Sequence, residues 1–441
     1  MISILFAGGA LRDRMTIYSQ SRTLYLTGQP KGPRMDSSSL PMRSSVGQID
    51  GLQMLRAVAV ILVVWCHTGQ HLAACGGQAL PALNVFGIDI FFVISGFILS
   101  LVVLRTPKQP GVDTTWDFLK KRFIRVYPIY WVFAILILLR MFRAGALKGH
   151  NYWSAFFLLP PIHSLGGDLI IGYSWTMMFE IFFYTVLGLI LLKTVRWAVP
   201  IFILLLTSSV AIGGLCNIRH PFWIVAANPI LLEFVFGALM ALLYARVGAR
   251  RHVGICLTAV GICASFWLAR HNQAWIANGG QMILVNHGAF QRSVTWGICA
   301  LVLVAGVVFW SPSMHRGAAR WWVILGNASY STYIISQLVL EFGSRAFVHF
   351  HPDVSSMFVS VLYTVTMLAA NLVAGYFCYR LIEKPLLNGL QNRLLVKQSV
   401  LSSRNARHTE HSAGFAPLAQ RSGDLPLTNT VSKAVSSDES G

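Results

Sequence analysis

Residues 55–67 read LRAVAVILVVWCH. Ten apolar residues stand between Arg56 and His67, and the stretch lies in a longer apolar run, 53–71. Nine more runs follow: 86–104, 126–142, 174–192, 197–213, 224–245, 253–269, 293–310, 323–344 and 356–379. Each has the length that a helix needs to cross about 30 Å of hydrocarbon, which is roughly 17–25 residues. None alternates apolar and polar side chains as an outer-membrane strand does. Backbone groups in lipid must bond within their own segment, so helices remain. The sequence predicts an all-α polytopic membrane protein with ten transmembrane helices.

The whole chain agrees. At 441 residues it is long enough for three soluble domains, but 55% of it is hydrophobic and only 12% charged, against about 25% charged in soluble domains. Its mean hydropathy is +0.60. A water-facing surface of that size and an intrinsically disordered chain are both excluded. Seven cysteines, an odd number lying mostly in apolar runs, do not make a disulfide framework. No internal repeat suggests the paired halves of a transporter.

The formal charge of +19 follows the loops. With the N-terminus inside, thirteen Lys and Arg fall in inner loops and seven in the longer outer ones, Arg292 among the seven. That is the inside-positive bias, and it predicts both termini in the cytoplasm. No loop forms a compact basic domain, so no nucleic-acid partner is expected. Residues 1–48 read as a flexible extension, with Met35 and Met42 as alternative starts, and MISILFAGGALRDR lacks the basic leader and long apolar core of a signal peptide. Residues 49–387 form the membrane domain, and 388–441 read as a disordered cytoplasmic tail.

Ionisable side chains at membrane depth are costly, so each is a candidate for function. Arg56 and His67 are eleven residues apart, which returns them to within about 20° of one helix face, about 16 Å apart along it. Ala59 and Val63 lie between them, and a small residue there lets something approach. By helical rise, His67, Asp89 and Glu180 lie at one depth below the outer surface. An imidazole with a carboxylate to orient it suits general base chemistry. Two plainer roles stand beside this: Asp89 can serve a helix N-terminus, and His67 can bond a carbonyl inside the bundle. Arg122 and Arg125, three apart, share a face and can clamp a phosphate, or anchor lipid headgroups beside Tyr127, Tyr130 and Trp131. Glu233 reads as a buried structural carboxylate. Cys66 points about 100° from His67, so the two do not form a dyad. His271, His287, His349 and His351 make no metal-site spacing.

Seven ordered segments resemble the integral-membrane acyltransferase-3 family, and its exopolysaccharide members in particular. They are IDGLQMLRAVAVILVVWCH, GIDIFFVISGFILS, KRFIRVYPIYW, WTMMFEIFFY, LLEFVFGALMA, LGNASYSTYIIS and LIEKP, together spanning about residues 49–387. The resemblance implies transfer of an acyl group, usually acetyl, from a coenzyme A thioester to a carbohydrate hydroxyl. It implies that His67 is the catalytic histidine, that Arg122 and Arg125 help bind the donor, and that Arg56 and Glu180 are required. Ser336 stands where family members often carry a second histidine. About 55 residues follow the last helix, too few for the esterase-like domain of some members.

The sequence thus predicts an O-acyltransferase of the bacterial cytoplasmic membrane. Its donor is acetyl-CoA, entering from the cytoplasm to Arg122, Arg125 and Arg56. The acyl end runs along the first helix to His67, which Glu180 or Asp89 orients. The acceptor is a sugar of an exopolysaccharide or lipid-linked glycan, and no metal is needed. The competing reading is a transporter or flippase for a lipid-linked glycan, with the buried charges used for proton coupling. Acetyl transfer from coenzyme A by isolated membranes separates the two.

Overall fold

The computed structural model describes residues 49–78, 86–106, 109–147, 152–160, 169–216, 220–271, 288–312, 317, 319–350 and 354–393. The expected flexible extension, 1–48, lies outside these residues, as does the expected tail from 394 onward. Two units divide the chain, Met1–Asn388 and Gly389–Gly441, and the helices below belong to the first. In chain order they are α1 Asp50–Ala74, α2 Phe86–Leu104, α3 Val112–Arg143, α4 Tyr152–Phe156, α5 Trp175–Leu191, α6 Ala198–Leu215, α7 Pro221–Ala226, α8 Leu231–Val247 and α9 Arg251–His271. After them come α10 Ala289–Trp310, α11 Ala319–Phe350 and α12 Met357–Cys378. Nine stretches of the described helices are long and apolar enough to span a membrane, one of them α7 and α8 together over Phe222–Val247, and α5, at 17 residues, is a shorter apolar tenth. Each coincides with one of the ten runs. The chain is an all-α polytopic membrane protein.

The ends of the longest helices differ from the runs. Helix α3 begins at Val112 and is continuous for 32 residues, where hydropathy marks only 126–142. Its first half, VDTTWDFLKKRFIR, mixes charged and apolar residues, so an apolar window passes over it although the chain is helical. Helix α12 runs into a π-helical turn, Tyr379–Glu383. Pro385 follows this turn. It has no N–H for the carbonyl of Leu381 and its ring crowds that group, which widens the turn before it.

Helix α1 is enclosed by α2, α11 and α12, and α2 packs along α8. The α2–α8 crossing depends on two glycines. A Cβ on Gly96 would lie 2.2 Å from the carbonyl oxygen of Phe234, and one on Gly237 would lie 2.2 Å from that of Val93. In lipid, where apolar burial does not separate helix from tail, such close backbone approach holds helices together. A third glycine, Gly87 of α2, sits 2.3 Å by the same measure from the carbonyl of Ala59. The small residue between Arg56 and His67 therefore admits α2.

Helices α3 and α5 run antiparallel with one pair of ends in register: the Gly111 N–H donates to the carbonyl of Leu191, and the Thr115 hydroxyl to that of Gly188. With 32 residues against 17, α3 overshoots α5 at the other end by about 22 Å at 1.5 Å per residue. The returning chain docks on α3 through α4. Tyr127, Tyr130 and the Trp131 indole donate to the carbonyls of Phe157, Ala155 and Phe156, at 2.8, 2.6 and 3.0 Å. These three aromatics hold a segment of the chain itself.

Candidate active site

Three of the buried arginines meet in one cluster. Arg56 donates to Gln53 at 3.2 Å and to the Ser329 hydroxyl at 2.8 Å. Arg125 pairs with Glu383, which also accepts from Ser331 at 2.5 Å, and the guanidinium lies over the ring of Tyr330. Arg122 lies over Phe118 and interacts electrostatically with Glu180 and Tyr184. Glu180 accepts from the Tyr184 hydroxyl, one turn on, and also interacts electrostatically with Arg56 and Arg125. Three guanidinium groups thus face two carboxylates. Nε of Arg122 and Nε and Nη2 of Arg125 are buried without an acceptor among the described residues. A buried unpaired donor on a charged group is costly, so these N–H groups suit an anionic guest.

This placement corrects two expectations. Arg122 and Arg125 are not on a loop before the third helix but about 15 and 20 Å inside α3 by helical rise, and both are buried. Glu180 stands with Arg56, not against His67.

A cavity of ≈ 70 Å³ opens from the cluster. Arg56, Glu180, Ser329 and Tyr330 line it together with apolar residues of α2, among them Phe91 and Phe92, and with Thr176 and Tyr333. The Tyr333 hydroxyl donates to the carbonyl of Tyr173 and contacts the Thr176 hydroxyl at 2.8 Å. The ring of Tyr173 is stacked on that of His67, with centroids 3.6 Å apart and planes at 21°. The cavity thus runs from Arg56 to Tyr333, which holds the turn beside His67, and is bounded by α2, α5 and α11. It does not follow the Ala59–Val63 face of α1, which α2 covers.

His67 is half-buried, and its Nδ1 is 2.9 Å from Oε1 of Gln70. Asp89, the other carboxylate expected beside it, is elsewhere. It pairs with Arg292, and the carboxyl of Glu233 adjoins it. Ser293 donates to Glu233 at 3.4 Å. Arg292, counted from sequence among the outer-loop cations, is buried in the first turn of α10. Among the described residues no three His, Cys, Asp or Glu side chains come together to hold a metal ion; His287 and His351 lie outside those residues.

The family described as "Acyltransferase domain" matches residues 49–380, which takes in α1 to α12 and every residue of the cluster except Glu383. The chain belongs to the acyltransferase-3 family. It is therefore a multi-pass membrane acyltransferase. Its relatives include the exopolysaccharide production protein ExoZ of Rhizobium meliloti, 26% identical over 69% of this chain and 90% of that protein. Nodulation protein 10 of Rhizobium leguminosarum bv. viciae is 25% identical over 67% of this chain and 84% of its own length. The peptidoglycan O-acetyltransferase OatA of Listeria monocytogenes is 27% identical, over 35% of this chain and 25% of that protein. No solved structure matches.

Sequence reasoning on this acyltransferase missed Gln70, Tyr173, Tyr333, Ser329 and Glu383. Tyr173 and Tyr333 meet His67 only through the fold. Glu383, however, carried a signal: it is a carboxylate within an apolar helix end, in LIEKP, and Arg125 needed a partner. The Ser-Tyr-Ser of LGNASYSTYIIS is the clearest case. Its three residues, 329–331, reach Arg56, Arg125 and Glu383 in turn. Ser336 bonds back to the carbonyl of Tyr333 at 2.7 Å.

Proposed function

We propose that this acyltransferase moves an acetyl group from acetyl-CoA to a hydroxyl of an exopolysaccharide or lipid-linked glycan in the bacterial cytoplasmic membrane. The cavity carries the reading. It reaches from Arg56 and Glu180, of the same cluster as Arg122 and Arg125, to Tyr333, whose hydroxyl holds the carbonyl of the Tyr173 that is stacked on the imidazole. The donor's phosphates pair with Arg122, Arg125 and Arg56, and its thioester arm lies in the cavity between α2, α5 and α11. The inside-positive charge distribution supports cytoplasmic entry of the donor and cytoplasmic termini. The names of ExoZ and OatA support a cell-surface polysaccharide as acceptor, approached from the His67 end.

In this reading His67 removes the proton from the acceptor hydroxyl. The hydroxyl oxygen attacks the thioester carbonyl, and the tetrahedral intermediate breaks its C–S bond. The sulfur leaves with the proton that His67 took up. Glu180 keeps the three cations from repelling one another, while Glu383 and Ser331 fix Arg125.

Arg122 tests donor binding, because among the described residues it makes no salt bridge within contact distance, unlike Arg125 with Glu383. Arg122→Gln is expected to weaken acetyl-CoA binding by about ten- to a hundredfold, the loss of one or two charge-assisted hydrogen bonds. Isothermal titration in detergent measures it. His67→Ala should bind the donor like the parent and lose transfer by about 10²–10⁴-fold. Parental affinity in Arg122→Gln would reduce the arginine to a structural part of the bundle.

A further inference from the structure

The hydrogen-bond partner of His67 is a neutral group. Its Nδ1 lies 2.9 Å from the amide oxygen of Gln70, three residues on, and the amide nitrogen of Gln70 turns toward the sulfur of Cys66 at 3.8 Å. The carboxylates that chemistry would suggest are engaged, Asp89 by Arg292 and Glu180 by Tyr184. On the other side, the ring of Tyr173 covers a face of the imidazole. The turn bearing Tyr173 is fixed at two points of α11. The Gly172 N–H donates to Oε1 of Gln337 at 2.7 Å, and the Tyr333 hydroxyl donates to the carbonyl of Tyr173.

We propose that Gln70 and Tyr173 are the positioning residues of His67: Gln70 fixes its tautomer and Tyr173 its ring plane. The assignment rests on the reading of His67 as the base. An amide oxygen can only accept, so the proton of the neutral ring resides on Nδ1 and the free lone pair on Nε2. Nε2 is then the atom that takes the acceptor's proton. A base in the other tautomer would present N–H to the hydroxyl and take nothing. Without Gln70, both tautomers and other ring rotations compete. The stacked phenol ring hinders rotation about the Cβ–Cγ bond and offers its π face to the cation formed in the reaction. Gln70 does this without adding a charge. It lies on the exposed side of α1, so its replacement leaves the packing intact.

Four substitutions test the assignment by acetyl transfer, with acetyl-CoA binding and thermal unfolding read on the same samples. Gln70→Leu keeps the bulk and removes the acceptor. Turnover is expected to fall by about 10–100-fold, the size of loss seen when the outer hydrogen-bond partner of a metal-bound histidine is removed. KM for the donor should be unchanged. Gln70→Glu still accepts from Nδ1–H, so it should stay close to the parent. Gln70→Lys can only donate, which forces the wrong tautomer, and should be at least as slow as Gln70→Leu. Tyr173→Phe keeps the stacked ring and the activity, and Tyr173→Leu loses part of the activity. Parental turnover in Gln70→Leu, or a Glu variant as slow as the Leu variant, overturns the role of Gln70. Equal rates in Tyr173→Phe and Tyr173→Leu overturn that of Tyr173. Should His67→Ala itself transfer acetyl, the base reading fails. If that variant is inactive while Gln70→Leu is fully active, only the positioning assignment fails.

Discussion

One guanidinium, that of Arg292, faces two buried carboxyl groups, Asp89 and Glu233. Removing the cation strands charge in a dry place, and breaking a buried pair from one side costs about 3–5 kcal/mol. Arg292→Met is therefore expected to lower the unfolding temperature in detergent by several degrees and to reduce the folded yield. Asp89→Asn should act in the same direction, because it takes the partner from Arg292. Were Asp89 instead a partner of His67, Asp89→Asn would lose turnover at unchanged stability, and the two measurements on one sample distinguish the cases. The sequence placed Asp89, Glu180 and His67 at one depth. Depth along a helix is an axial coordinate, however, and says nothing of which way each helix is turned within the bundle. That rotation sends Asp89 to α10 and Glu180 to Arg56. The Glu180–Tyr184 contact, at i and i+4 in WTMMFEIFFY, was legible because it needs no tertiary information. Glu383 could be picked out as a carboxylate in an apolar helix end, but its pairing with Arg125, 258 residues away, is set only by the fold.

At the scale of helices, the α2–α8 crossing makes a direct test of backbone approach. A side chain at Gly237 would begin 2.2 Å from the Val93 carbonyl and 2.5 Å from the Phe97 nitrogen. Both are backbone atoms and cannot swing away. Gly237→Leu should force the two helices apart at a cost of at least about 1–3 kcal/mol, read as a lower unfolding temperature. Gly214→Ala, with nothing within 4 Å of the new atom, should be unchanged. Equal behaviour of the two would mean that the crossing does not depend on Gly237. Apolar length made the spans readable, each as one run, while the ends of α3 and α11 escaped it. Hydropathy detects contact with lipid; a helix that continues with charged residues on one side, as in 112–125, carries no such mark. The ridge of small residues along α1 was visible at Ala59. Its occupant, the backbone of α2 at Gly87, was not, because a gap in one helix does not name what fills it.

For the molecule as a whole, orientation rests on loop charge, and accessibility tests it. In a background without the exposed Cys75, Cys216, Cys256 and Cys263, a cysteine at Gln78 should react with a membrane-impermeant maleimide in intact cells, and one at Asp113 should not. Both positions are exposed, so the opposite pattern would invert the molecule and the direction of donor entry. The short apolar helix α5 has a wider effect. Its 17 residues rise about 26 Å, less than the roughly 30 Å of an average hydrocarbon layer. Lipid around a short span thins, or water and headgroups sink toward its ends. Helix α5 carries Glu180 in its second turn, and the turn before it carries Tyr173 against His67. This hydrophobic mismatch falls beside the imidazole and the arginine cluster. In the proposed reaction, an acyl group passing there has less than a full hydrocarbon layer to cross.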